Sequence, residues 1–319
     1  TMRIGNVSIN DESDCYVIAE LGHNHQGDLE LAKKMISAAA SAGVDAVKLQ
    51  KRSNADLFTK AYYDKPYQSE NSYGATYGEH REYLEFGRSE YVELRDFSKS
   101  LGVHFFATAF DFASADFLAE LDVPAFKLAS GDLTNIPLIK HVASFGKPII
   151  LSTGGGSIED VDRVVECLSA FSVDFCVMQC TAGYPPTWEE LNLKVIETFR
   201  DRYKDIVVGL SSHDNGISMA LVGFVLGARV VEKHFTLSRA EGGVDSAFSM
   251  EPHEMKSLVV ESERAFLGMG KIQYGVQKAE TKSLIYKRSI YVAQDIKAGE
   301  EFTKDNVRVI RPGYGLHSK

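Results

Sequence analysis

Several short apolar runs in this chain carry a charged residue where an apolar one would normally stand. Lys48 sits in DAVKLQ, Lys127 in AFKLASGD, Glu20 in YVIAEL, and Glu232 with His234 in VVEKH. A lysine held among apolar side chains is rare without a partner, and a bound anion is a natural one. With Ser130, Ser152 and Thr108 nearby in the pattern, the two lysines suit a ligand bearing both carboxylate and phosphate. A Schiff-base lysine is the rival reading, and it needs only one of them. His213 and His234 offer imidazoles that can hold a divalent cation with positions left for water and substrate. Two protein ligands favour a replaceable Mg²⁺ or Mn²⁺ over a structural zinc, the alternative being two hydrogen-bonded histidines.

The elements that would position these groups follow from periodicity. Strand-like runs recur at 16–20, 46–50, 105–109, 125–129, 149–153, 175–179, 207–211 and 230–234. Amphipathic stretches such as 29–43, 90–102, 157–171 and 218–228 lie between them, mostly stopped by glycine. Eight β-then-α units predict a parallel (β/α)8 TIM barrel, in which catalytic groups stand at the carboxyl ends of the strands. In strand order those ends supply Glu20, then Lys48 and Gln50, Thr108, Lys127 and Ser130, and Ser152. Tyr184, Ser211 with His213, and Glu232 with His234 complete the circuit. The segment 51–86, rich in Tyr, Asn, Gly and Glu, is too long for a passive loop and is a candidate substrate lid. Residues 1–267 are assigned to the catalytic barrel, 268–287 to a linker, and 288–319 to a small β-rich module short for independent folding.

Composition narrows the class. A chain of 319 residues, 44% hydrophobic and 25% charged, can bury a sizeable core. A net charge of -9 argues against a nucleic-acid partner. No apolar run approaches the roughly 18 residues of a membrane span, and no signal-like start is evident, so a cytoplasmic protein is expected. The four cysteines lack CxxC spacing and read as free thiols. TGGGS (153–157) can cradle phosphate on backbone N–H groups or be a tight turn. HNHQG (23–27) offers two histidines for a metal or for a supporting role behind the site.

AELGHNHQG, KLQK, TYGEHREYLEF, FKLASGD, LSTGG, QCTAGYPP, GLSSHDNG, EKHFTL, VDSAFSMEP and KAGEEFTKDNVRVIRPG, in this order, resemble the N-acetylneuraminate (sialic acid) synthase family. The resemblance implies condensation of phosphoenolpyruvate with an N-acylmannosamine, or its 6-phosphate, to a nine-carbon 2-keto sugar acid. It also implies a domain-swapped homodimer, with a C-terminal antifreeze-like (SAF) module of one subunit over the partner's barrel. By the same resemblance, His213 and His234 are the Mn²⁺ ligands, and Lys48, Thr108, Lys127 and Ser211 surround the phosphoenolpyruvate carboxylate. Ser130 and Ser152 contact phosphate, Glu20 lies near the reacting carbons, and Tyr184, Asp245 and Asn71 face the sugar. Arg311 reaches the N-acyl group from the partner, while Gln50, Asp132 and Glu232 complete the substrate-binding set. Ser246 stands where the family often has His, Ala182 where Ser or Asn is frequent, and the SAF module is expected to be incomplete at Lys319. The alternatives are a synthase for a 2,4-diacetamido sugar of the legionaminic or pseudaminic type, a Schiff-base lyase, and a non-catalytic carbohydrate-binding barrel.

Overall fold

A computed structural model describes residues Thr1–Lys319, which form two compact units, Thr1–Met269 and Gly270–Lys319. In the first, an antiparallel hairpin of β1 (Met2–Ile4) and β2 (Val7–Ile9) precedes the eight expected strands. These are β3 (Tyr16–Gly22), β4 (Ala46–Lys51), β5 (His104–Ala109), β6 (Phe126–Leu128), β7 (Ile149–Ser152), β8 (Phe175–Cys180), β9 (Val207–Ser212) and β10 (Val230–His234). All eight are parallel, and β10 pairs with β3 to close a (β/α)8 barrel. Both faces of each strand are covered, one by the barrel interior and one by helices, so the runs are almost uniformly buried.

The helices form where side-chain spacing gives them an apolar face. Leu29–Ala42 buries Ala32, Met35, Ile36 and Ala39. Asp28 caps it by accepting hydrogen bonds from the backbone N–H groups of Glu30 and Leu31, and Gly43 ends it in a left-handed conformation at φ 91°. The hairpin, which periodicity did not reveal, buries Met2, Ile4 and Ile9. Its Arg3 N–H donates to Asp174 Oδ2 at 3.0 Å, just ahead of β8, which places it at the foot of the barrel, away from the site.

The segment 51–86 holds three short helices, Asn54–Leu57, Lys60–Tyr63 and Tyr77–Leu84, joined by turns and irregular backbone. Phe58, Tyr62, Tyr67 and Tyr77 bring their rings together between them. Thr76 and Glu79 form a capping box on the last helix. Gly78 lies under the Tyr63 ring, where an added Cβ would come within 2.3 Å. The layer is tied to the barrel by Lys51 Nζ, 3.0 Å from Glu85 Oε2.

Gly270–Lys319 contains a 3-10 helix, Lys278–Tyr286, and a two-stranded antiparallel sheet of β11 (Ser289–Val292) and β12 (Val307–Ile310). Only Ser289 and Asn306 are buried in this unit, and both are polar, so it has no apolar core of its own.

Candidate active site

Strand register brings the polar set together. Lys48 pairs with Glu20, Gln50 with Thr108, Thr108 with Lys127, Ser211 with Glu232, and His234 with Glu20 across the closing seam. A β-bulge follows Glu20, and the Gly22 it contains, at φ 53°, leaves room there. A Cβ on Gly22 would stand 3.3–3.4 Å from Asp245, Gln50 and Glu20 side-chain atoms.

These side chains line a cavity of about 570 Å³. Of the residues singled out in the sequence, Glu20, Lys48, Gln50, Thr108, Lys127, Ser130, Ser152, Tyr184, Ser211, His213, Glu232, His234 and Asp245 all face it. Three do not. Asn71 lies beside Gly242, and Asp132 turns away to accept a hydrogen bond from Asn135 Nδ2 at 3.1 Å. Arg311 belongs to the C-terminal unit, its guanidinium 5.6 Å from the centre of the Tyr286 ring.

At the cavity floor, Lys48 Nζ is 2.5 Å from Glu20 Oε2, donates to Thr108 Oγ1 at 2.7 Å and lies 3.8 Å from Glu232 Oε2. Lys127 Nζ donates to Ser152 Oγ at 2.7 Å and to the Leu128 carbonyl at 3.0 Å. Gln50 Nε2 donates to Glu20 Oε1 at 2.8 Å. Two buried ammonium groups and two buried carboxylates share this space. Burial, with repulsion from Glu232, raises the Glu20 pKa to about 7 against the pull of Lys48. Burial also opposes charge on Glu232, but Lys48 and Lys127 outweigh it and hold that carboxyl below its usual range. Burial draws the Lys127 pKa down. Whenever Glu20 holds its proton, the floor has one positive charge in excess, which favours an anion.

The imidazoles of His213 and His234 stand 5.3 Å apart between ring centres, with Phe248 packed against both and Tyr184 against His213. Burial lowers the His213 pKa to about 4 and lowers that of His234, so both are neutral near pH 7. His213 Nδ1 donates to the Thr181 carbonyl at 3.0 Å, leaving the Nε2 lone pair free. His234 Nδ1 is buried without a hydrogen-bond partner, 3.5 Å from Asp245 Oδ2. Neutral imidazoles with unengaged nitrogens beside a carboxylate fit a divalent cation. Behind them, Lys233 Nζ binds the Asp214 carbonyl at 2.7 Å and its carboxylate at 2.9 Å, bracing the two strand ends.

The other two motifs lie behind the cavity wall. In TGGGS, the Gly154 N–H donates to Ser130 Oγ at 2.9 Å, and a Cβ on Gly156 would come within 2.0 Å of Leu133. The His23 and His25 rings are buried under the helical layer, His25 stacked 4.2 Å from Phe86. Arg52, Arg81, Phe110, Cys180 and Phe248 also line the cavity, and the sequence reading missed them. Arg52 directly follows KLQK and Arg81 lies within TYGEHREYLEF, so their motifs were in view but the fold-back of the layer was not.

Closed parallel barrel and strand-end acid, lysine and imidazole groups define a (β/α)8 barrel enzyme. The chain belongs to the NeuB family, whose model matches residues 35–274, and residues 287–319 match the SAF domain. It is an enzyme of the sialic acid synthase type. It is 39% identical over 245 residues to N-acetylneuraminate-9-phosphate synthase of Mus musculus, covering 77% of this chain and 68% of that one. With N,N'-diacetyllegionaminic acid synthase of Legionella pneumophila the identity is 34%, covering 95% and 86%. The crystal structure of N-acetylneuraminic acid (sialic acid) synthetase from Leptospira borgpetersenii, in complex with citrate, superposes with a TM-score of 0.79 at 31% identity. That match covers 89% of this chain and 95% of the other. No helix is long and apolar enough to cross a membrane.

Proposed function

We propose that the enzyme condenses phosphoenolpyruvate with an N-acylmannosamine, or its 6-phosphate, to a nine-carbon 2-keto sugar acid and phosphate. The observation that carries this reading is the pairing, in one cavity, of two buried lysines beside hydroxyl groups with two neutral imidazoles. Lys48, Thr108, Lys127 and Ser211 hold the carboxylate end of phosphoenolpyruvate, and Ser130 and Ser152 its phosphate. Gln50, Tyr184, Glu232 and Asp245 line the space left for the sugar.

The enol C3 attacks the open-chain aldehyde, forming the C–C bond, and water adds at C2. Cleavage of the C2–O bond then releases phosphate and leaves the ketone. Glu20, its pKa raised to about 7, takes one proton from the attacking water and passes it to the alkoxide left on the former aldehyde oxygen, while the C2 hydroxyl proton leaves with the phosphate. The lysines neutralise the anion at the buried floor of the cavity. A divalent cation, Mn²⁺ or Mg²⁺, held by His213 and His234 would supply Lewis acidity to the aldehyde oxygen.

We assign residues 268–287 to a linker and 288–319 to a SAF module that docks on the partner's barrel in a domain-swapped homodimer. Arg311 then offers its fixed donors to the N-acyl carbonyl. The lack of an apolar core in Gly270–Lys319 supports docking of that unit on another surface. Asn71 and Asp132 lie outside the cavity wall, away from direct contact with substrate.

The test is phosphate release from phosphoenolpyruvate with Mn²⁺ against N-acylmannosamine, its 6-phosphate and a 2,4-diacetamido sugar. Release with either mannosamine acceptor, abolished by chelator, is expected. Release with the diacetamido sugar alone would reassign the acceptor, and none with any acceptor would overturn the reading.

A further inference from the structure

The cavity has a second cationic group that the condensation does not use. Arg52 and Arg81 both line it, one just past β4 and the other on the helix Tyr77–Leu84. Neither guanidinium has a carboxylate for a partner. Arg52 Nη1 and Arg81 Nη1 instead converge on one acceptor, His23 Nδ1, at 3.3 and 3.4 Å. The nearby Glu85 carboxylate is already engaged by Lys51 at 3.0 Å and lies 3.3 Å from His23 Nε2. Across the cavity, Asp245 is turned toward His234. Arg52 stacks 3.9 Å over Phe110, and Arg81 Nε donates to the Tyr77 hydroxyl at 3.0 Å, so both planes are held in place. Two adjacent, oriented guanidiniums with no direct ion pair, in a chain of net charge -9, form a site for a compact dianion.

Which anion this is follows from position. Arg52 follows directly on β4, four residues beyond Lys48, so its Cα lies about 13 Å nearer the mouth along the strand direction. Lys48, Lys127, Ser130 and Ser152 already supply partners for the carboxylate and phosphate of phosphoenolpyruvate in the reading above, which leaves the arginines to the other substrate. An extended acceptor whose aldehyde meets the enol places its far end, C6, toward the mouth. We propose that Arg52 and Arg81 form a phosphate subsite for the acceptor and select a sugar phosphorylated at C6 over the unphosphorylated sugar. This rests on the synthase reading given above.

The experiment compares kcat/KM for N-acylmannosamine 6-phosphate and N-acylmannosamine in the wild type, Arg52→Gln and Arg81→Gln. It is paired with calorimetric titration of each sugar and of inorganic phosphate, so that binding is read whether or not turnover occurs. The wild type is expected to prefer the phosphorylated sugar at least tenfold, and each variant to lose most of that preference. Arg81→Lys should restore part of it, since charge returns without the bidentate fork. If Arg52→Gln fails to fold once its stacking on Phe110 is lost, Arg81→Gln decides alone. Equal wild-type affinity for the two sugars overturns the subsite, as does an unchanged preference in the variants. A raised KM for phosphoenolpyruvate with the acceptor preference intact overturns it too, by assigning the arginines to the other substrate. Absence of turnover with every acceptor counts against the synthase reading, while the titrations still decide the subsite.

Discussion

Glu20 owes its proton affinity to burial and to the second carboxylate beside it, and only the contact with Lys48 limits the rise. A base must be ionised to act, so kcat/KM should fall as the pH drops through about 7. Glu20→Gln should lose this limb, with a rate reduced by about 10² to 10⁴. A profile that keeps the limb in the variant would place the ionisation elsewhere. Lys127 permits a separate test, because its Nζ donates to Ser152 and a backbone carbonyl and keeps a third donor for the proposed anion. Lys127→Met should weaken phosphoenolpyruvate binding by about 1.5 to 3 kcal/mol, on the order of ten- to a hundredfold in Kd. Acceptor affinity should hardly move. Calorimetric titration showing both ligands weakened equally would remove Lys127 from the anion site.

At the scale of elements, the helical layer over the barrel mouth depends on close packing rather than on length. Gly78 has no room for a methyl group beneath Tyr63, so Gly78→Ala must push two of the short helices apart. Overpacking of this kind costs about 1 to 3 kcal/mol. The variant should be cleaved faster by protease within 51–86 and show a raised acceptor KM, with the barrel's melting temperature nearly unchanged. Unchanged cleavage would mean that the layer is held by other contacts. The barrel was legible in the sequence because eight buried runs alternating with amphipathic segments leave few arrangements, and polar residues such as Lys48 and His234 stand out against them. The layer was less legible, since its helices are short and brought together by tertiary ring contacts. For the same reason Arg52 and Arg81 were overlooked, as nothing local says that a helix 30 residues on folds back beside the end of β4. Asp132 shows the opposite failure: its motif was legible, but a local bond to Asn135 turns its side chain away.

For the whole molecule, the proposed exchange of C-terminal units makes each site composite. Mixing Arg311→Ala subunits with His213→Ala subunits, each inactive alone, should then restore activity. A mixed dimer contains one barrel with His213 facing an arm with Arg311, so recovery should reach about half of wild type per dimer. No recovery in a sample shown to contain the mixed dimer would overturn the exchange.

The four thiols extend this to motions of the barrel itself. Cys15 and Cys176 are buried, and their pKa values are pushed far up by that burial, so in the closed molecule neither presents a thiolate. Cys180 is at the cavity wall and Cys167 on an outer helix, half-buried. A thiol-alkylating probe should therefore label Cys167 first, and Cys180 at a rate slowed by phosphoenolpyruvate. Cys15 and Cys176 should react only when the barrel opens. The native chain thus carries its own clock for local and global opening, readable by mass spectrometry without introducing a single cysteine.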